Sequence, residues 1–458
     1  MLVKNHNKTE PPESPMRTTR TEQPSVFQAP QIDHTVADEL EQASLLLDQH
    51  PELLDMVGRC VGGSTTCGRI GLTCETILRC AVIARLMGYS YRELEFALRD
   101  SRTMQRFARV DPWRVPKKSA LQSAISMIDA KTWERLGGVL LQEAKQRGIE
   151  TGTQVRIDST TTATDILAPS DSRLLYDGVR VLTRLLRQAQ RLLPELQFSD
   201  HCRGAKRRDR QIGSAREPKK RRHGYRGLLA LVAQSLGYAA AARARVSTVT
   251  DPWAKSWCTE LDAYVELIER VVDQTTRRVF DGEKVPAAQK VVSLFEPHTD
   301  IIVKGGRATQ YGHKINLSTG RSGLVLDVVV EAGNPADSTC CLPMLQRHVK
   351  AFGEPPQRAA FDGGYASKQN LTDAKELGVE HVVFHKKCGL QPADMTPSSW
   401  IYGQLKRFRA GAEAGISYLK RCFGLNRCTW HGREHFQAYV HAAVFAHNLI
   451  RLARLLLT

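Results

Sequence analysis

No two of the chain's eleven cysteines are spaced C-x-x-C. An odd count without that spacing argues against a disulfide framework or a zinc site and fits reduced thiols in a cytoplasmic protein. Long apolar runs are also missing. The richest stretches are Leu228–Ala242, broken by Gln and Ser, and Tyr439–Leu457, broken by His, Asn and Arg. Neither reaches the roughly 18 uninterrupted apolar residues of a spanning helix. The first thirty residues are polar and contain proline, with none of the apolar core of a secretory leader. Acidic residues are the scarcer charge: 48 Asp and Glu stand against 65 Lys and Arg, a net charge of +17 with a pI near 9.5. That balance favours a polyanionic partner, either nucleic acid or an acidic membrane surface.

What is present has the make-up of an ordinary globular chain, 42% apolar and 25% charged over 458 residues, with room for two or three domains. Residues 1–35 lack hydrophobic periodicity and read as a disordered arm. Over 36–150 the pattern turns helical. Ile77, Leu78, Ala81, Val82, Leu86 and Met87 recur at i, i+3, i+4 spacing, Gly88 closes that helix, and Ser90 with Glu93 makes a capping box for the next. Short helices joined by tight turns suit a helix-turn-helix DNA-binding domain as well as a plain bundle, and the charge tilts the reading towards DNA.

At Thr153 the period changes. T-Q-V-R-I-D-S reads as a buried strand with Asp158 near its carboxyl end. A helical insertion of three long amphipathic helices then fills about 172–290. Between the first two lies Arg203–Arg226, eleven Lys or Arg against two acids. It reads as a phosphate-tracking loop, with Lys206, Arg207, Arg208, Lys219, Lys220, Arg221 and Arg222 as its contacts. Strands return as a hairpin, Tyr311–Ser318 and Gly323–Glu331, then as Arg358–Phe361, ending at Asp362, and His381–His385. A last helix spans Leu405–Arg421. On it Arg409, Glu413 and Lys420 fall within an arc of about 40°, beside an apolar strip of Ala412, Ile416, Leu419 and Phe423.

Three motifs now stand in order: R-I-D-S-T-T at Asp158, F-D-G-G-Y-A at Asp362, and R-x3-E-x6-K at Arg409, Glu413 and Lys420. With the trailing F-G-L-N-R-C-T-W-H-G and A-H-N-L segments and the earlier G-R-I-G-L-T-C-E-T-I-L-R, they resemble bacterial insertion-sequence transposases of the DDE type. Each motif is weak alone, whereas three in this order are specific. The resemblance spans nearly everything after about residue 35. It implies an α/β RNase H-like core over 151–455, with a mixed five-stranded sheet and helices, interrupted by the helical insertion and preceded by an all-α N-terminal domain. In that fold the first and fourth strands are parallel neighbours, which sets Asp158 beside Asp362 and brings Glu413 over them. The trio would be catalytic and would hold Mg2+, with Mn2+ a substitute, because hard cations prefer oxygen ligands.

By the same resemblance Arg409 and Lys420 contact phosphate, joined by Lys406, which stands where a related signature has tyrosine. The implied partner is double-stranded DNA, as element ends and as target, bound by a homodimer or larger synaptic complex in the bacterial cytoplasm beside the nucleoid, with no membrane. The implied activity is strand cleavage at terminal inverted repeats followed by strand transfer. Asp165, Asp171 and Asp177 read instead as helix caps or salt bridges, Glu331 as an edge charge, Asp337 as a helix cap, and His313 and Lys314 as structural or nonspecific. Two rival functions share the fold: a catalytically inactive or domesticated DNA-binding protein, and a metal-dependent structure-selective nuclease.

Overall fold

The computed structural model describes residues 34–62, 71–303, 308–385 and 388–458, so nearly all of the expected arm over 1–35 lies outside the described residues. Seven helices come first: α1 (Thr35–Gln49), α2 (Glu52–Val61), α3 (Cys74–Met87), α4 (Tyr91–Asp100), α5 (Arg102–Ala108), α6 (Lys118–Ser126) and α7 (Ala130–Gln146). Their ends follow local chemistry. Gly88 takes the left-handed conformation that stops α3, and Ser90 and Glu93 exchange side-chain and backbone hydrogen bonds to start α4.

Six strands form one sheet: β1 (Gln154–Ala163), β2 (Asp300–Ile302), β3 (Gln310–Gly320), β4 (Val325–Val330), β5 (Arg358–Phe361) and β6 (His381–Phe384). The sequence reading of five strands misses β2, whose three residues are shorter than the four-to-eight-residue run that periodicity detects. β1 runs antiparallel to β3, whose other edge takes β4 and β2. On its far side β1 is parallel to β5, and β5 to β6. An antiparallel hairpin followed by two parallel strands fits an RNase H-like core. The register pairs Val155 with Ala359 and Ile157 with Phe361. Asp158 and Asp362 therefore follow side by side just past the last paired residues of two neighbouring parallel strands, Asp362 at the end of β5 and Asp158 in the middle of β1. The sequence reading ended this strand near Asp158, but β1 runs on to Ala163 against β3 alone.

Between β1 and β2 the chain makes α8 (Asp171–Ala189), α9 (Cys202–Ser214), α10 (Pro218–Val246) and α11 (Pro252–Val279). This insertion has its own core, with Leu175, Leu182, Val232, Trp257 and Ile268 among its buried members. The N-terminal helices and the sheet instead share one contiguous core, from Leu46, Ile83 and Trp133 through Val155 and Phe361 to Phe445. Arg203–Arg226, read as a loop from its charge, is mostly helical: α9 and the start of α10 cover it apart from a short turn. Lys and Arg are good helix formers, and Ile212 and Gly224 meet across that turn to pack the two helices.

The carboxyl-terminal part carries α12 (Cys341–Phe352), α13 (Lys368–Glu376), α14 (Pro392–Met395), α15 (Ser399–Cys422) and α16 (Arg433–Leu457). By length and composition α16 is apolar enough to cross a membrane, yet 67% of its most apolar window is buried inside the fold. Asn448 on α16 both donates to Val325 O at 2.7 Å and accepts from Val325 N–H at 2.9 Å, which clamps the helix to the start of β4. α16 is a core helix.

Candidate active site

Asp158 sits at the point where β1 leaves its pairing with β5. Its residue is 7% exposed, and Oδ1 accepts the Ser159 N–H at 2.7 Å. Asp362 ends β5 and opens the tight turn Gly363–Tyr365. Tyr365 anchors that turn: its hydroxyl donates to Asn316 Oδ1 at 2.6 Å, and Asn316 Nδ2 donates to Glu331 Oε1 at 2.5 Å. Burial pushes the Tyr365 phenol well above its ordinary pKa, so it stays a donor. The turn also needs Gly364. A Cβ there would lie 2.5 Å from Asp337 Oδ2, so any side chain would drive Asp337 and the Asp362 turn apart.

The third carboxylate arrives on α15. Two clamps fix this helix over β1. Arg156 on β1 donates to Phe408 O at 3.0 Å, with its guanidinium 4.8 Å from the Phe408 ring centre, and burial lowers its pKa below the ordinary arginine value. Beyond the helix, Thr162 Oγ1 donates to Leu425 O at 2.7 Å, and the Cys428 N–H donates to Ala163 O at 2.8 Å. The chain can double back this sharply because Gly424 has φ +75°, and a Cβ there would strike the Tyr439 hydroxyl at 2.7 Å. The F-G-L-N-R-C segment is thus a strap that ties α15 to the end of β1.

Arg409, Glu413, Ile416, Ser417 and Lys420 lie along one face of α15 and line an open cleft of about 940 Å³, with Asp158, Ser159, Thr160, Asp337, Asp362, Arg421 and Asn426 on its other walls. The Arg409 guanidinium stands at the centre. Its Nη2 is 2.8 Å from Asp362 Oδ1 and 3.3 Å from Asp158 Oδ2, and its Nη1 is 3.4 Å from Glu413 Oε1. Like charges about 4 Å apart repel by about 4 kcal/mol at an effective dielectric near 20. A central cation therefore lets carboxylates on three different elements converge. Glu413 is the exposed member, its side chain 74% exposed against 11% for Asp158.

The trio supplies only hard oxygen donors, the kind Mg2+ or Mn2+ prefers. In kind, the residues fit such a cation. Among the described residues, however, no group of three His, Cys, Asp or Glu side chains forms a ready metal cage. In the cleft it is the guanidinium that stands between the two aspartates.

Other residues singled out by the sequence fall elsewhere. Lys406 is exposed outside the cleft, its ammonium 5.7 Å from the Tyr402 ring centre. Glu331 is engaged by Asn316. Asp165 pairs with Arg427, Asp171 with Arg278, and Asp177 with Arg173 and Arg180. His313 is fully buried in a hydrogen-bonded chain with His298 and Asp300, which continues through Glu296 to His431. Asp337 is not a helix cap. It begins a 3-10 turn without a side-chain cap bond and forms an ion pair with the buried Lys314. Its place on the cleft wall was missed, and the G-G after Asp362 was the sequence signal for a close approach there.

The basic run divides. Arg203, Lys206, Arg207 and Arg210 line a shallow cleft of about 420 Å³ along one face of α9, and none of them forms an ion pair among the described residues. Arg208 donates to Gln211. On α10, Lys220 pairs with Glu217, and Arg222 donates to Phe280 O at 2.6 Å and lies near that ring. Lys219 and Arg221 are exposed.

Residues 269–449 match a family model described as a transposase DDE domain. The match takes in Asp362, Arg409, Glu413 and Lys420, and begins after Asp158. Among curated proteins and solved structures, none matches the chain.

Proposed function

We propose, since the chain carries a transposase DDE domain across residues 269–449, that it is a DNA transposase acting on the ends of its own insertion sequence. It binds the terminal inverted repeats, cleaves a strand and joins the freed 3′-hydroxyl to target DNA. One observation carries this reading beyond the family: Asp158, outside the matched segment, meets Asp362 and Glu413 around one guanidinium on a cleft rimmed by Lys420 and Arg421. Acidic residues at the floor and cations at the rim suit a phosphodiester whose charge must be held while its phosphorus is attacked.

Asp158, Asp362 and Glu413 would hold Mg2+, or Mn2+ in its place, which when bound supplies Lewis acidity and a more acidic water. The middle of β1 fixes Asp158 and the end of β5 fixes Asp362, while exposed Glu413 adapts to what enters. Lys420 and Arg421 orient the phosphate, and Asn426 and Ser159 offer hydrogen bonds at the wall. Cleavage and joining are both attacks at phosphorus, so one cleft serves both with water and then a 3′-hydroxyl as nucleophile. The domain plan follows: 36–150 recognises the ends, 151–455 carries the chemistry, and the insertion at about 172–290 tracks phosphates along α9. A homodimer or larger complex would hold two ends together in the bacterial cytoplasm, beside the nucleoid.

The test is to incubate the purified protein with a DNA fragment carrying its own gene and native flanks, in Mg2+ or Mn2+. Defined cuts at flanking inverted repeats and joined products are expected. Asp362→Asn and Glu413→Gln should lose both, by at least ~100-fold, while still binding the ends. Binding without cuts by the unaltered protein would favour the inactive DNA-binding reading. Cuts at branched DNA with no joined product would favour the nuclease.

A further inference from the structure

Arg409 is the most constrained cation of the cleft. The residue is 8% exposed, and its two terminal nitrogens reach carboxylates on three elements: Nη2 at 2.8 Å from Asp362 and 3.3 Å from Asp158, Nη1 at 3.4 Å from Glu413. Its Nε, also buried, has no hydrogen-bond partner among the described residues. Any cation shared by the two aspartates has to lie between their oxygens, where Nη2 is.

We infer that Arg409 is a resident counter-cation, filling the shared cation position of the acidic trio until a divalent cation enters and sends the guanidinium into the open cleft. The inference rests on reading that cleft as the phosphodiester site. An arginine cannot shed its charge at any physiological pH. Loss of a proton therefore cannot vacate the position; the side chain has to move. The surroundings permit that movement. The cleft is open and about 940 Å³ in volume, and Glu413, one of the three carboxylate partners, is largely exposed. The orphaned Nε also favours departure, because a buried donor without an acceptor gains one when it meets a phosphate oxygen.

Two consequences follow. In the absence of DNA the arginine and the divalent cation compete, so metal binding is weaker than the bare carboxylates allow. Once displaced, the guanidinium is available to a phosphate, so DNA draws it outward and tightens the metal. By linkage the metal tightens DNA by the same factor. Loading of the two is therefore coupled through one side chain.

The experiment measures Mn2+ binding, by the paramagnetic resonance of the free ion and by the metal-induced shift in melting temperature. It uses the full-length protein, Arg409→Gln, Arg409→Lys and Asp362→Asn, each with and without duplex DNA. Without DNA, Arg409→Gln should bind Mn2+ on the order of tenfold more tightly than the unaltered protein. It should also melt lower when metal-free and gain more on metal addition. Arg409→Lys, too short a fork to meet all three carboxylates, should fall between, and it carries the comparison if the glutamine variant fails to fold. DNA should tighten Mn2+ for the unaltered protein and not for Arg409→Gln. Equal Mn2+ affinity in the unaltered and Arg409 variants, with loss in Asp362→Asn, overturns the competition and leaves the active-site reading standing. Absence of any Mn2+ binding that depends on Asp362 overturns both.

Discussion

In the cleft Arg409 faces three carboxylates, and its place is set by strands, helix and strap together. On α9 four cations, Arg203, Lys206, Arg207 and Arg210, share a face and pair with no acid among the described residues. The α10 cations lie between these extremes, with Lys220 and Arg222 tied to Glu217 and Phe280. The contrast separates two uses of positive charge in one basic chain. A cation with internal partners organises a site, and its removal disturbs particular neighbours. On the proposed function, a row without them meets the phosphates of DNA, and its contribution is nearly additive and screened by salt.

The sharpest way to break that contrast is to neutralise the α9 face. Gln at Arg203, Lys206, Arg207 and Arg210 together should lower the slope of log binding against log salt by about three to four, near 0.9 per phosphate contact. Gln at Lys220 and Arg222 should change the slope by about one at most, and Arg222→Gln should instead lower the melting temperature. Equal slope changes from the two sets would erase the distinction between them.

A smaller effect concerns the core that the sheet shares with the N-terminal helices, where two buried histidines pack against Phe352, Tyr418 and Phe423. His348 on α12 is 2% exposed and His447 on α16 is 5% exposed, and burial pushes both down to about 4 from an ordinary 6.5. Each is neutral when folded and protonated when unfolded between those values. The unfolded state therefore binds more protons there, and stability falls as pH drops from 6.5 towards 4. The expected loss is about 2 kcal/mol per histidine at pH 5. Urea unfolding at pH 7 and pH 5 measures it. His447→Phe, which keeps a ring against Tyr418 and Phe423, should flatten the dependence, and an unchanged one would assign the acid sensitivity elsewhere.

Much of the site was legible before the structure. Asp362 ends a short apolar strand as read, and the Arg409, Glu413 and Lys420 strip follows from helical geometry alone. The strand bearing Asp158 was read too short, because the threonines that carry it on to Ala163 break the apolar pattern. The i,i+4 relation of Arg409 to Glu413 was visible too. Its bonds to Asp158 and Asp362 were not, since they depend on β1 and β5 being parallel neighbours in a particular register. Asp337 was misread because its partner, Lys314, comes from β3, and a residue before a helical run resembles a cap. β2 was too short to show a period. The α9 ridge was read as a loop because charge density masked a helix whose apolar contacts, Ala205 and Ile212, are few and widely spaced. Local pattern announces elements and their ends; which side chains meet across elements is settled by register.

The most direct test concerns Asp158, the one member of the trio outside the matched family segment. Cleavage of the element's own ends should be compared for Asp158→Asn and Asp165→Asn, with folding checked for both. Asp165 lies just beyond the same strand and pairs with Arg427 away from the cleft. The expected result is loss of cleavage by at least ~100-fold for Asp158→Asn, and near-normal cleavage for Asp165→Asn. Full cleavage by a folded Asp158→Asn protein would contradict the assignment of the cleft as the site of phosphodiester chemistry.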